Sequence, residues 1–164
     1  YVGWHEMEKK SGIIGFTGAF RESIKEIENG STIVFAGSIA VCTPFIELLA
    51  YAIRDKDFNM VYVPKSDIGE AKEIREVENI GFSVVNQYKD PKNPDVLVVL
   101  GGLAMPKFGC SPDEVLNMLE EISGDQKPKI IGVCFMGIFE KSGWNTKIPF
   151  DVVLDTSMET IVTK

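Results

Sequence analysis

Six short and almost uninterrupted apolar runs recur along this chain, separated by segments of helical periodicity. The runs cover residues 32–35, 60–63, 82–85, 96–100, 130–133 and 152–154. A strand without alternating polar residues is buried on both faces, which is typical of a parallel sheet covered by helices. Strands that alternate with helices form βαβ units with right-handed crossovers. We therefore predict an α/β fold: a three-layer, Rossmann-like, doubly wound sheet, mostly parallel, with about five to six strands.

Four of the intervening segments carry apolar residues at helical spacing. These stripes cover residues 20–27, 45–53, 68–77 and 115–122. Thr43 is the expected N-cap of the second helix, and Gly81 is the expected stop of the third. The fourth is the best defined, because Ser111 and Glu114 have the spacing of a capping box.

The composition limits the classes of protein that this chain can represent. Its 164 residues suit one domain over 1–164, with residues 1–11 as a loosely ordered arm. The net charge of −7 disfavours nucleic-acid binding, which needs clustered cations. We find no membrane-spanning run and no signal peptide, so we expect a soluble cytoplasmic protein with no membrane partner and with free thiols. We also expect a homodimer.

The carboxyl ends of the strands should form the ligand crevice. If the runs are ordered 3-2-1-4-5, the strand order reverses between the loops at 36–43 and 101–111, and ligands bind at such reversals. Both loops precede a helix N-terminus, which favours an anion. We therefore predict that a small anionic ligand binds there. The candidate residues are Gly37, Ser38, Cys42, Thr43, Gly101, Gly102, Cys110 and Ser111.

The motifs of nucleotide-binding loops are absent from both segments. Neither G-x-G-x-x-G nor G-x-x-x-x-G-K-[ST] occurs, so a P-loop hydrolase is disfavoured and the cofactor stays unknown. The alternative for each loop is an ordinary strand-to-helix turn with a normal cap. The sequence is compatible both with ligand-binding loops and with ordinary turns.

The three cysteines should all lie at the carboxyl edge of the sheet. Cys42 and Cys110 each precede a helix N-terminus, where the dipole favours a thiolate. Cys134 ends the fifth run. The alternative is that each thiol is a small buried apolar group. We predict no metal site, because the C-x-x-C spacing of thiolate metal sites is missing.

Cys134 lies in the segment GVCFMG at 132–137, which could place its thiol on a tight turn above the sheet. Together with residues 95–102, this segment resembles the class I glutamine amidotransferase-like superfamily that includes the DJ-1 proteins, over about residues 95–143. The resemblance implies that Cys134 is a catalytic nucleophile and that the Gly-Gly turn contributes to its pocket. His5, the only histidine, lies in the N-terminal arm, and Phe135 replaces the histidine that often follows the cysteine.

Over its whole length the chain resembles an archaeal, methanogen-associated family that is defined as a domain of unknown function. The resemblance rests on residues 12–18, 41–51 and 132–137. It implies a cytoplasmic archaeal protein and no assigned activity. Three functions stay open: a binding module for a small anion, a thiol-dependent enzyme, and a partner protein marked by an apolar patch outside the crevice.

Overall fold

The computed structural model describes residues 8–164. In that range the chain forms the strands β1 (Thr32–Gly37), β2 (Asn59–Pro64), β3 (Lys72–Val77), β4 (Gly81–Tyr88), β5 (Val96–Leu100), β6 (Lys129–Phe135) and β7 (Val152–Thr156). It also forms the α-helices α1 (Gly12–Ser23), α2 (Thr43–Ala52), α3 (Pro112–Ser123) and α4 (Ile138–Ser142). Residues 1–7 of the predicted arm, with His5, lie outside the described residues. None of the described helices is both long and apolar enough to span a bilayer.

All seven strands belong to one sheet with the order β4-β3-β2-β1-β5-β6-β7. Strands β2, β1, β5, β6 and β7 are parallel neighbours, whereas β3 is antiparallel to both β2 and β4. The prediction of a mostly parallel, doubly wound α/β sheet is therefore confirmed. The sheet has seven described strands rather than the expected five to six.

The prediction of a third helix is wrong, because the additional strand β3 forms in its place. Only a single 3₁₀ turn forms there, at Ile68–Glu70, and β3 then pairs with β4 as a hairpin. Asn79 and Gly81 have positive φ angles of 62° and 109° at the turn. Gly81 therefore belongs to a hairpin turn rather than to a helix end, since such turns require left-handed residues. The stripe of apolar residues was ambiguous because a strand that is buried on one side only has one polar face, like an amphipathic helix.

Two helix boundaries also differ from the prediction. Helix α1 ends at Ser23, so Ile24 is its C-cap and Ile27 lies beyond it. Helix α2 starts one residue earlier than expected, with Cys42 as the N-cap and Thr43 as the first helical residue. The predicted capping box of α3 is confirmed.

The sheet separates two apolar layers, so the domain has three layers. One layer packs β1 against α1 and α2, and Phe20, Phe35 and Leu49 are fully buried in it. The other packs β5 and β6 against α3 and α4. Cys42 belongs to the first layer and Cys134 to the second. Full burial of both faces explains why the central strands read as continuous apolar runs.

Candidate functional site

The predicted ligand crevice corresponds to the carboxyl ends of β1 and β5, which are parallel neighbours in the middle of the sheet. Helix α2 follows β1 on one face of the sheet, and α3 follows β5 on the other. The two connecting loops therefore diverge at this point, which is where doubly wound sheets commonly bind ligands. This is the position that the sequence predicts for the reversal of the strand order.

Ser38, Cys42 and Gly102 meet inside this crevice. A Cβ atom added to Gly102 would overlap Sγ of Cys42 and would lie 3.1 Å from Oγ of Ser38. The sulfur and the hydroxyl oxygen therefore approach the same point beside the Gly102 backbone. Gly37 is equally close to this group, because a Cβ there would lie 2.6 Å from Cβ of Cys42. The structure thus brings four of the predicted site residues together.

Among the described residues, the fully buried Ser38 hydroxyl has no oxygen or nitrogen partner, and the Cys42 sulfur lies beside it. A buried polar group without a partner costs about 1–3 kcal/mol, so native structures rarely retain one without a reason. Burial raises the pKa of the nearby Cys42 thiol, and the backbone N–H groups of Ser38 and Gly102, with the Ser38 hydroxyl, oppose that rise. A thiol is a weak acceptor. Three donors therefore surround a sulfur that satisfies them poorly.

The loop between Ser38 and Cys42 contains a strained backbone. Ala40 has a φ of 65°, and the N–H of Val41 donates to the carbonyl of Ile39 at 2.8 Å across it. A γ-turn with a positive central φ is rare and strained for a residue with a side chain. The strain lies beside the unpaired Ser38 hydroxyl, and both features are typical of binding loops.

Cys134 lies on the opposite side of the Gly-Gly turn. A Cβ atom on Gly101 would lie 2.7 Å from Cβ of Cys134 and 2.8 Å from Cγ2 of Ile138. The Cys134 side chain is buried, and burial raises its pKa to about 12. The backbone N–H groups of Phe139 and Ile138 oppose this rise, while the carboxylate of Asp155 adds to it.

The prediction of a nucleophilic Cys134 is not supported by this environment. Cys134 is still part of β6, where its register partner in β7 is Asp155. The left-handed residues that turn the chain are Met136 and Gly137, with φ of 56° and 70°. The tight turn therefore comes two residues later than the prediction placed it. A buried thiol beside a carboxylate holds its proton at neutral pH, which opposes nucleophilic attack.

Cys110 and Ser111 belong to the start of α3, where Cys110 lies beside Ser66, Lys65 and Glu114. The Ser111 hydroxyl accepts the N–H of Glu114 at 3.2 Å, and the Glu114 carboxylate accepts the N–H of Ser111 at 2.7 Å. Burial and the Glu114 carboxylate raise the pKa of Cys110 to about 11, against the opposing Lys65 ammonium and Ser66 hydroxyl. Among the described residues, no three side chains of metal-binding type form a cluster.

All three thiols should be unreactive in the folded protein at neutral pH. With a pKa of about 11, Cys110 at pH 7.5 should react with iodoacetamide about a hundredfold more slowly than in the urea-unfolded chain. Alkylation should accelerate above pH 9 because the thiolate fraction rises with pH. Cys110 should react first and Cys134 last, which peptide mass spectrometry can measure. Native Cys134 labelled as fast as in urea would contradict this expectation.

Two residues near the crevice had no recognisable signal in the sequence. The Tyr62 hydroxyl donates to the carbonyl of Gly37 at 3.4 Å, and burial raises its pKa to about 12. The N–H of Lys65 donates to the same carbonyl at 2.9 Å. Both residues come from β2 and its following loop, so only the pairing of β2 with β1 brings them to Gly37.

The apolar rim of the crevice is exposed. Ile39, Met105 and Phe108 lie on the two loops and are each at least one-third accessible, with Ile39 at 63%. Exposed large apolar side chains on the two loops around a buried polar group are typical of a ligand site, although singly they are also common on surfaces. Lys107 lies between Met105 and Phe108 and is exposed as well.

Comparisons with known proteins agree with the whole-chain resemblance. The family model described as "Uncharacterized protein conserved in archaea (DUF2124)" matches residues 11–159. An uncharacterized protein of Methanocaldococcus jannaschii is 35% identical over 91% of this chain and 88% of its own. An uncharacterized protein of Methanothermobacter thermautotrophicus is 35% identical over 94% of this chain and 95% of its own.

Solved structures extend the comparison to the fold. A crystal structure of a protein of unknown function from M. thermautotrophicus has a TM-score of 0.86 and 32% identity, covering 99% of both chains. A hypoxanthine phosphoribosyltransferase from Trypanosoma cruzi has a TM-score of only 0.45 at 11% identity, over 90% of this chain and 74% of that chain. That second likeness carries no functional argument. The resemblance to the glutamine amidotransferase-like superfamily receives no support from these comparisons.

Proposed function

This chain belongs to the DUF2124 family of archaeal proteins, and from that premise we propose that it binds a small anionic ligand between β1 and β5. The observation that carries the proposal is the Ser38 hydroxyl, which is fully buried and has no oxygen or nitrogen partner in the part of the chain that the structure describes. A ligand oxygen that accepts this hydroxyl would remove the desolvation penalty of the unpaired group.

The groups around Ser38 favour a negative charge. The backbone N–H groups of Ser38 and Gly102 converge with the hydroxyl on one point, now occupied by Sγ of Cys42. Convergent N–H groups form nests that bind anionic oxygens. Helix α2 begins directly after Cys42 and directs its positive end to the same region. A carboxylate or a phosphate provides the acceptor that the thiol does not.

The apolar rim suggests how the rest of the ligand is held. Ile39 on one loop and Met105 and Phe108 on the other could cover a non-ionic part of the ligand. The proposal retains the cytoplasmic location inferred from the sequence. It also retains Gly37, Thr43, Gly101, Cys110 and Ser111 as residues that shape the loops, with Ser38, Cys42 and Gly102 nearest the anion.

The substitution Ser38→Ala should separate binding from stability. Removing the unpaired hydroxyl should stabilise the free protein by about 1 kcal/mol, because a buried donor without an acceptor is lost. The same substitution should weaken anion binding by about tenfold or more. Thermal shift and calorimetric titration with inorganic phosphate, acyl phosphates, nucleotides and common coenzymes measure both effects.

Ser123→Ala is the matched control. Ser123 is also buried, but its hydroxyl donates to the carbonyl of Leu119 at 2.5 Å near the amino edge of the sheet. Its loss should change binding by less than about twofold, because it lies at the other edge. The proposal fails if none of these anions shifts the melting temperature, or if Ser38→Ala and Ser123→Ala change binding equally.

A further inference from the structure

Strained backbone in this chain collects at the carboxyl edge of the sheet. Among residues 8–164, the residues other than glycine with a positive φ include Asn79 and Asn93, and asparagine tolerates this region because its short side chain hydrogen-bonds locally. The others are Ala40, Lys65 and Met136. They follow β1, β2 and β6, which are parallel and end at the same edge. Strained residues of this kind cluster at functional sites.

Lys65 carries the only charge of these three and occupies a position that suits glycine. The N–H of Asp67 donates to the carbonyl of Pro64 at 3.0 Å, so residues 64–67 form a β-turn with Lys65 in its second position. The φ of Lys65 is 56°. A positive φ at this position defines turns of types I′ and II′, in which glycine, asparagine and aspartate dominate. Turn formation therefore does not explain the lysine.

The backbone of Lys65 is fixed beside the proposed anion site. Its N–H donates to the carbonyl of Gly37 at 2.9 Å, and Pro64 is the register partner of Gly37 in the parallel pair of β1 and β2. Lys65 therefore lies opposite Ser38, one strand away, and neighbouring strands are about 4.8 Å apart. The buried Ser38 hydroxyl and Lys65 thus belong to adjoining turns at one edge of the sheet.

The ammonium group of Lys65 lies near the start of α3. It opposes the rise that burial causes in the pKa of Cys110, and it adds to the hydrogen bonds from Ser111 that lower the pKa of the Glu114 carboxyl. The ion pairs that form within 4 Å among residues 8–164 do not include Lys65. The Glu114 carboxylate instead accepts the N–H of Ser111 at 2.7 Å. Lys65 therefore links the turn beside Ser38 to the loop after β5 and keeps an exposed charge there.

We propose that Lys65 binds a second negative group of the ligand, so that the site selects small molecules with two anionic groups. This inference rests on the proposed function, in which the first group accepts the Ser38 hydroxyl and the N–H groups beside it. The second group accepts the Lys65 ammonium in a charge-assisted hydrogen bond. Because the chain has a net charge of −7, a local cation is what offsets the repulsion of a doubly charged ligand.

Calorimetric titration with paired ligands tests the proposal. Phosphoglycolate is compared with methyl phosphate, and malonate with acetate, so each pair differs by one carboxylate. The wild-type chain should bind the two-anion member of at least one pair about tenfold more tightly than its single-anion counterpart. Lys65→Gln should weaken the two-anion ligand by about tenfold and the single-anion ligand by less than about twofold. The pair that shows the preference identifies the first group as a phosphate or a carboxylate.

Three further variants separate this role from stability and from general charge. Lys65→Arg keeps the charge and should keep the preference for two anionic groups. Lys65→Gly should abolish the preference but raise the melting temperature of the free protein, because glycine adopts a positive φ without strain. Lys127→Gln is the matched control, since it removes the same charge from an exposed residue just before β6, at the amino edge. It should change each dissociation constant by less than about twofold.

These titrations distinguish a failure of the Lys65 role from a failure of the anion site. If none of the four ligands binds the wild-type chain, the anion site fails, and the role of Lys65 fails with it. If the ligands bind and Ser38→Ala weakens them, equal effects of Lys65→Gln and Lys127→Gln overturn the role of Lys65 alone. A Lys65→Gly variant that keeps the preference, or that does not melt above the wild type, also overturns it.

Discussion

Gly109→Ala should destabilise the protein more than any other single-methyl addition that we consider. A Cβ atom there would overlap the carbonyl oxygen and carbon of Leu103 and lie 2.9 Å from its Cα. These atoms are all backbone, so no side-chain rotation can relieve the overlap. The N–H of Cys110 donates to the Leu103 carbonyl at 3.0 Å, and this bond closes the loop after β5. We expect a loss of about 3 kcal/mol or more.

The destabilisation should be visible in both thermal and urea unfolding. For a domain of this size, about 3 kcal/mol corresponds to a melting temperature lower by about 6–12 °C. Urea unfolding with an unchanged m-value would show that the native state is the one affected. Gly18→Ala in α1 is the control, because no atom lies within 4 Å of its Cβ position and alanine should stabilise the helix by about 0.5–1 kcal/mol. Equal melting temperatures for the two variants would contradict the loop geometry.

Phe139→Ala should have a comparable effect in the layer that packs β5 and β6 against α3 and α4. The ring of Phe139 is 1% accessible and lies 5.8 Å from the ring of Trp144 and 4.9 Å from that of Phe150. Its removal leaves a cavity among rings that cannot collapse around it, for which we expect a loss of about 3–5 kcal/mol. Met136→Ala is the control, because Met136 is 53% accessible, and its loss should stay within about 0.5 kcal/mol.

A second substitution can show that this cavity is the cause. A Cβ atom on Gly132 would lie 3.0 Å from Cε2 of Phe139 and 2.9 Å from Cε1 of Phe150, so Gly132→Ala alone should cost about 1–3 kcal/mol. In the Phe139→Ala background one close contact is lost and the ring of Phe150 has room to shift, so the cost of the added methyl group should fall by at least about 1 kcal/mol. Additive effects in urea unfolding would show that the two positions do not share this space.

The hairpin of β3 and β4 shows where the sequence was insufficient. Its first strand has an apolar spacing that suits a helix as well as a half-buried strand, and only pairing with β2 on one side and β4 on the other decides between them. Pairing of Ile74 with Met60 of β2 buries the Ile74 side chain and satisfies the backbone. Local propensity is a weak guide where such long-range contacts compete with it.

The candidate site also combines features that the sequence predicts with features that only the structure shows. The sequence placed Ser38, Cys42 and Gly102 at one edge of the sheet, because residues that follow neighbouring parallel strands must lie together. It could not show that the Ser38 hydroxyl lacks an oxygen or nitrogen partner among residues 8–164, or that Cys134 is buried beside Asp155. Both facts depend on the packing of side chains from separate elements, which no spacing along the chain records.

The sequence by itself determined the class of fold, the central strands, the α3 capping box and the rim on which the three cysteines lie. These features follow from burial on both faces of a strand and from local capping, so neighbouring residues are enough to specify them. Only the tertiary structure decided the β3–β4 hairpin, the raised pKa values of the thiols, the burial of the Ser38 hydroxyl beside Cys42 and the position of β7 at the end of the described sheet. Each of these features depends on contacts between segments that are distant in the sequence. The free energy of folding favours all of those contacts together, so no single segment determines any one of them.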